Sequence, residues 1–80
     1  FQEAPKEGVW IQSWDTAVKS GQQHDYSACA TAVLSEGILY LIEILHTRLD
    51  YPALRQMVIR KAETEKPQAI LIEDKASGQS

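Results

Sequence analysis

The chain has one cysteine, Cys29, in 80 residues. A single thiol excludes an internal disulfide framework and a cysteine-based zinc site, and it suits a reducing compartment. Positive charge is not in excess either: 8 Lys and Arg stand against 11 Asp and Glu, a formal net charge of −3. A general basic surface for nucleic acid is therefore excluded, and affinity for a polyanion would need a bound divalent cation or positive residues outside this segment. Long apolar runs are missing. The run over residues 38–45 is about half the length that crosses a bilayer, and Glu43 interrupts it. No basic-then-apolar signal segment opens the chain, and no repeat or low-complexity tract is present.

What remains is an ordinary globular composition, 44% hydrophobic and 24% charged. Eighty residues make one small domain with a modest core. The chain begins on Phe1 and stops at Ser77-Gly-Gln-Ser80, where a helix could be about to start, so it is expected to be a piece of a longer protein. Residues 1–8, polar with Pro5 and Gly8, read as a linker or lead-in, and residues 9–80 as the domain.

From Val9 to Asp15 the pattern is that of a strand, with Val9, Ile11, Ser13 and Asp15 on one face and Trp10 and Trp14 on the other. Residues 19–25 form a turn-rich connection. Residues 26–34 and 38–46 are two further strands joined by a short hairpin loop in which Gly37 is free to take a positive φ. Asp50 and Pro52 announce a helix, by capping and by preset φ. Leu54, Met57, Val58 and Ala62 recur on its buried stripe. Lys61 and Lys66 suit its negative end, and Pro67 stops it. The continuously apolar residues 69–72 then predict a central parallel strand buried on both faces, ending at Glu73. The order is β-β-β-α-β, an α/β arrangement in which a right-handed crossover sets the last strand parallel to the first.

Two acids then share one edge. Asp15 and Glu73 each close an apolar strand, where a desolvated charge needs a partner or a metal. The carboxyl ends of neighbouring strands are also where open sheets bind ligands.

At these residues the chain resembles a known family. Gln12-Ser-Trp-Asp15-Thr-Ala17, Asp25-Tyr-Ser27, Tyr51-Pro-Ala-Leu54 and Leu71-Ile-Glu73-Asp-Lys-Ala-Ser-Gly-Gln79 are similar, in order and spacing, to the nuclease domain of tailed-phage terminase large subunits. The resemblance covers residues 9–80, and its most specific part is Ile72-Glu-Asp-Lys-Ala-Ser-Gly78. It implies a ribonuclease-H-like mixed sheet, truncated at its C-terminal side, and a metal-dependent endonuclease that cuts concatemeric phage DNA during genome packaging. Asp15 and Glu73 match the family's first and second acids, and the third is expected beyond Ser80. The cofactors implied are two Mg²⁺ or Mn²⁺ ions, for which carboxylates are suitable hard donors. Double-stranded phage DNA, the terminase small subunit and the portal are the implied partners, in the cytoplasm of an infected or lysogenic bacterium, with no membrane. An ATPase domain is implied in the parent chain, although no Gly-x-x-x-x-Gly-Lys-Ser/Thr loop occurs in these residues. The isolated fragment is expected to cut DNA little or not at all. The alternatives are a non-catalytic docking domain or prophage remnant, and a resolvase-type ribonuclease-H-like nuclease.

Other residues carry weaker expectations. Asp74 is an outer metal ligand or a partner of Lys75, and Lys75 a DNA contact or a solvated partner of Asp74. Asp25 is read as a turn cap, and His24 and His46 as exposed and inert. Both tryptophans are assigned to the core, and Cys29 is a buried apolar filler. Arg48, Arg55, Arg60 and Lys61 read mainly as a solvated helix face.

Overall fold

The computed structural model describes residues 5–16 and 26–74. Its elements are β1 (Val9–Thr16), β2 (Ser27–Ser35), β3 (Ile38–Thr47), α1 (Tyr51–Glu65) and β4 (Ala69–Asp74), in the order read from the sequence. The four strands form one mixed sheet ordered β3-β2-β1-β4. β1 and β2, and β2 and β3, pair antiparallel, whereas β1 and β4 pair parallel. A parallel pair needs a crossover, and α1 supplies it between β3 and β4.

Alternation decides which face is covered. In β2, Ser27, Cys29, Thr31 and Val33 are buried while the residues between them are less so. These small inward groups leave room for Trp14, which is 1% exposed and packs with Cys29 and Leu54. Leu45, Leu49, Met57 and Val58 surround that cluster. The assignments of Trp14 and Cys29 to the core are met, and Trp10 is half-buried on the same strand face. Full burial of a side chain such as Leu54 stabilises by about 1.5–3 kcal/mol.

The β2–β3 hairpin turns on two residues, Glu36 (φ 52°) and Gly37 (φ 79°). Positive φ at both central positions is the type I′ geometry that follows the strand twist. Glycine takes it freely, but glutamate is strained there. Glu36→Asn is therefore expected to stabilise the chain by about 0.5–1 kcal/mol, read as a higher urea midpoint at unchanged slope. Gly8 is required for a different reason. At φ 151° a Cβ would lie 2.6 Å from the Leu34 carbonyl oxygen, so only glycine lets the lead-in pass this close to β2.

Thr31 pairs with Glu43 and Ala32 with Leu41, which makes Ile42 the extra residue of a β-bulge. The bulge resets the alternation, so Glu43 shares the helix face with Thr31. α1 is capped as the sequence predicts at its start, where the Asp50 side chain accepts a hydrogen bond from the Ala53 N–H at 3.1 Å. Its end differs from expectation, because no basic residue lies in the last turn. Lys66 is the left-handed C-cap itself, its N–H donating to the Ala62 carbonyl at 2.8 Å, and Lys61 is engaged elsewhere.

β4 also departs from the sequence reading. Among the described residues it is an edge strand, with Leu71 and Ile72 each 58% exposed, not a central strand buried on both faces. An unbroken apolar run gives a strand two apolar faces but cannot fix its position in a sheet. The core under α1 is centred on Trp14 and Cys29 of the two middle strands, and β4 lies outside them.

Candidate metal centre at the carboxyl ends of β1 and β4

The parallel register sets Asp15 opposite Glu73. Residues directly opposite on neighbouring strands leave the same sheet face, with backbones about 4.8 Å apart. The two acids thus stand side by side at the carboxyl ends of their strands, on the face away from α1. Asp15 is half-buried and Glu73 exposed.

Hydrogen bonds outside the strand ladder fix this register at both ends. At the acid end the Thr16 hydroxyl donates to the Glu73 carbonyl oxygen at 3.1 Å, and Thr16 is 8% exposed. At the far end the Gln68 N–H donates to the Trp10 carbonyl (2.8 Å) and the Trp10 N–H to Gln68 Oε1 (2.7 Å). Thr16 is a residue that sequence reasoning missed. Its only signal is position, one residue past a strand-end acid and therefore on the opposite face.

Two adjacent carboxylates are hard oxygen donors of the kind that Mg²⁺ or Mn²⁺ accepts, leaving coordination positions for water and phosphate. The donor set fits such an ion. Among the described residues no group of three or more His, Cys, Asp and Glu side chains could hold a metal by itself. Asp74 follows Glu73 in register with Thr16. His24, Asp25 and Lys75 lie outside the described residues.

The same register continues across the sheet. Asp15 pairs with Ala28 and Ala28 with His46, so His46, Ala28, Asp15 and Glu73 form one row over four strands.

Arg48, Arg55, Arg60 and Lys61 do not share one solvated helix face. Arg48 belongs to the β3–α1 connection, and Arg55 and Arg60 are exposed on α1. Lys61 is not solvated: its side chain is 12% exposed and its Nζ lies 2.8 Å from Glu43 Oε1 and 2.7 Å from Glu65 Oε2. Gln12, fully buried, donates from Nε2 to Glu65 Oε1 at 2.8 Å and to the Lys61 carbonyl at 3.3 Å. Thr31 adds a longer bond to Glu65 Oε1 at 3.5 Å. Burial works against the charge on Lys61, but the hydrogen bonds it donates to Glu43 and Glu65 outweigh it and raise its pKa. Burial likewise opposes ionisation of Glu65, and Lys61 and Gln12 more than compensate, lowering it. Cys29 is governed by burial, which pushes its thiol pKa up against the weaker pull of Lys61 and Thr31.

A four-stranded mixed sheet whose helix crosses from β3 to a parallel β4 makes this an α/β domain of ribonuclease-H-like architecture. The family model for the terminase RNaseH-like domain matches residues 12–80, and the chain belongs to that family. No curated protein and no solved structure matches it. No helix among the described residues is long and apolar enough to cross a membrane.

Proposed function

We propose that the domain is the metal-dependent endonuclease part of a terminase large subunit, and that Asp15 and Glu73 hold its divalent ions. The observation that carries this reading is the register that pairs these two acids at the carboxyl ends of β1 and β4, in a chain of the terminase RNaseH-like family. Mg²⁺ or Mn²⁺, bound there as a pair, would supply activation of water and neutralisation of the leaving oxygen in phosphodiester hydrolysis. Asp15 would hold the ions from a position half-shielded from solvent, and Glu73 from an exposed one. Thr16 holds the end of β4 through the Glu73 carbonyl and so keeps the second acid beside the first. Double-stranded phage DNA is the substrate of this role, and the small subunit, the portal and an ATPase domain of the parent chain are its partners.

Mn²⁺ titration followed by NMR tests the site directly. Paramagnetic broadening is expected to start at the backbone amides of Asp15, Thr16 and Glu73, and Asp15→Ala is expected to abolish it. Saturating metal should also raise stability, by about 2.7 kcal/mol at a hundredfold excess over Kd. Uniform broadening, unaffected by Asp15→Ala, would remove the metal centre. In a plasmid-nicking assay with Mn²⁺, the isolated chain is expected to cut weakly or not at all, since two carboxylates hold the ions less firmly than three.

A further inference from the structure

Beyond the carboxylates, the sheet edge carries a second group of polar side chains. Tyr26 and Arg48 flank the pair Ser27–Thr47, which closes the β2–β3 ladder, so they face each other across the two strands one step past His46 and Ala28. The Arg48 guanidinium lies over the Tyr26 ring, 4.6 Å from its centroid, and Nη2 donates to the Tyr26 hydroxyl at 2.7 Å. The His46 ring meets Tyr26 edge-on, with centroids 6.4 Å apart. An open depression of about 430 Å³ is lined by Tyr26 and His46.

This arrangement orients donors. The Tyr26 oxygen accepts from Arg48, which leaves its own proton to donate outward. Arg48 commits one of its five N–H groups to Tyr26 and keeps the rest. His46 can donate from a ring nitrogen. Three side chains thus present hydrogen-bond donors at this edge, two of them lining the hollow, with no carboxylate among its described lining residues, and the third a fixed positive charge stacked on Tyr26. That chemistry fits a phosphodiester anion.

Position identifies which phosphodiester. His46 belongs to the row that ends in Asp15 and Glu73, two strand spacings from Asp15, or about 10 Å. A nucleic-acid strand rises about 3.4 Å per nucleotide along its axis and winds as it does so, so it covers that distance within about three nucleotides. Ala28, between them, has no side chain large enough to obstruct its path. We propose that Tyr26, His46 and Arg48 form a backbone-phosphate subsite that holds the DNA strand a few nucleotides from the bond facing Asp15 and Glu73. This inference rests on the proposed nuclease function. It gives a chain of net charge −3 a local source of affinity for DNA that its composition withholds.

The test is fluorescence anisotropy with a labelled DNA duplex and the 80-residue chain, in Mg²⁺ and again in EDTA. Arg48→Gln is expected to weaken binding about tenfold and to lower the log–log salt slope by about one. Tyr26→Phe, which keeps the ring and removes only the hydroxyl, is expected to cost about threefold. Arg60→Gln, an exposed α1 cation on the opposite side of the sheet, serves as the control and should change binding less than twofold. The subsite is overturned if Arg48→Gln binds as the unaltered chain does, if Arg60→Gln loses as much as Arg48→Gln, or if the unaltered chain shows no binding at millimolar protein. The two proposals separate cleanly. Loss of the Mn²⁺ signature with Arg48-dependent DNA binding intact sinks the metal centre alone, and the reverse sinks the subsite alone.

Discussion

Replacing Trp14 by alanine is expected to cost the chain a large part of its stability. The buried apolar core of the described residues consists of Trp14, Cys29, Val33 and Leu54, and Trp14 is the largest of these. Removing a buried tryptophan costs about 3–5 kcal/mol. A domain of this size has about 4–12 kcal/mol of total stability, so the substitution removes between about a quarter and all of it. The companion variant is more informative. Trp14 Nε1 is buried with no hydrogen-bond partner among the described residues. Trp14→Phe loses volume but also removes that donor, so its cost should stay below about 2 kcal/mol. Urea denaturation followed by circular dichroism measures both. A loss for Trp14→Phe as large as that for Trp14→Ala would show that a phenyl ring does not refill the site and that removing the indole N–H brings no relief.

The second large effect belongs to the Lys61–Glu65 network. Lys61→Met leaves Glu43 and Glu65 facing each other without a cation. Breaking a buried pair by removing one partner costs about 3–5 kcal/mol. Glu43 is 52% exposed, so the expected loss here is about 2–3 kcal/mol. Adding Glu65→Gln to Lys61→Met should recover part of it. The dependence on pH has a definite sign. The folded pKa of Glu65 is lowered, so its contribution is complete above the unfolded value of about 4.3 and is lost as pH falls through the folded value. The folded pKa of Lys61 is raised, so its contribution is complete below about 10.4 and is lost as pH rises through the folded value. Cys29 is also raised and adds an alkaline loss that begins near 8.5. Stability should therefore be flat from about pH 5 to 8. Lys61→Met should remove the steepest alkaline loss, and chemical denaturation across the pH range would reveal it. An unchanged alkaline limb in that variant would show that Lys61 is not the group responsible.

Local chemistry carried much of the fold. Alternation from Val9 to Asp15, glycine at the hairpin, and Asp50 with Pro52 at a helix start each act within a few residues, and they marked the elements to within one or two positions. The neighbouring placement of Asp15 and Glu73 was legible because each ends an apolar run and one crossover joins their strands. What depended on sheet order or cross-strand register was not legible. Lys61 meets Glu43 only because a bulge at Ile42 turns Glu43 toward the helix, and no periodicity announces a bulge. Arg48 was grouped with helix cations, although its partner, Tyr26, is 22 residues away and is set by strand register. A buried glutamine at position 12 likewise makes sense only beside Glu65, which lies 53 residues further on.

β1 and β4 are joined across an even longer span, the Trp10–Gln68 contact bridging 58 residues of chain. Closing so long a loop costs more entropy than forming the β2–β3 hairpin from chain neighbours, so the hairpin comes first. Docking of the last strand is thus expected to follow the rate-limiting step, and the two acids meet only then. An ion that needs both of them would leave the refolding rate nearly unchanged and act instead by delaying escape from the native state.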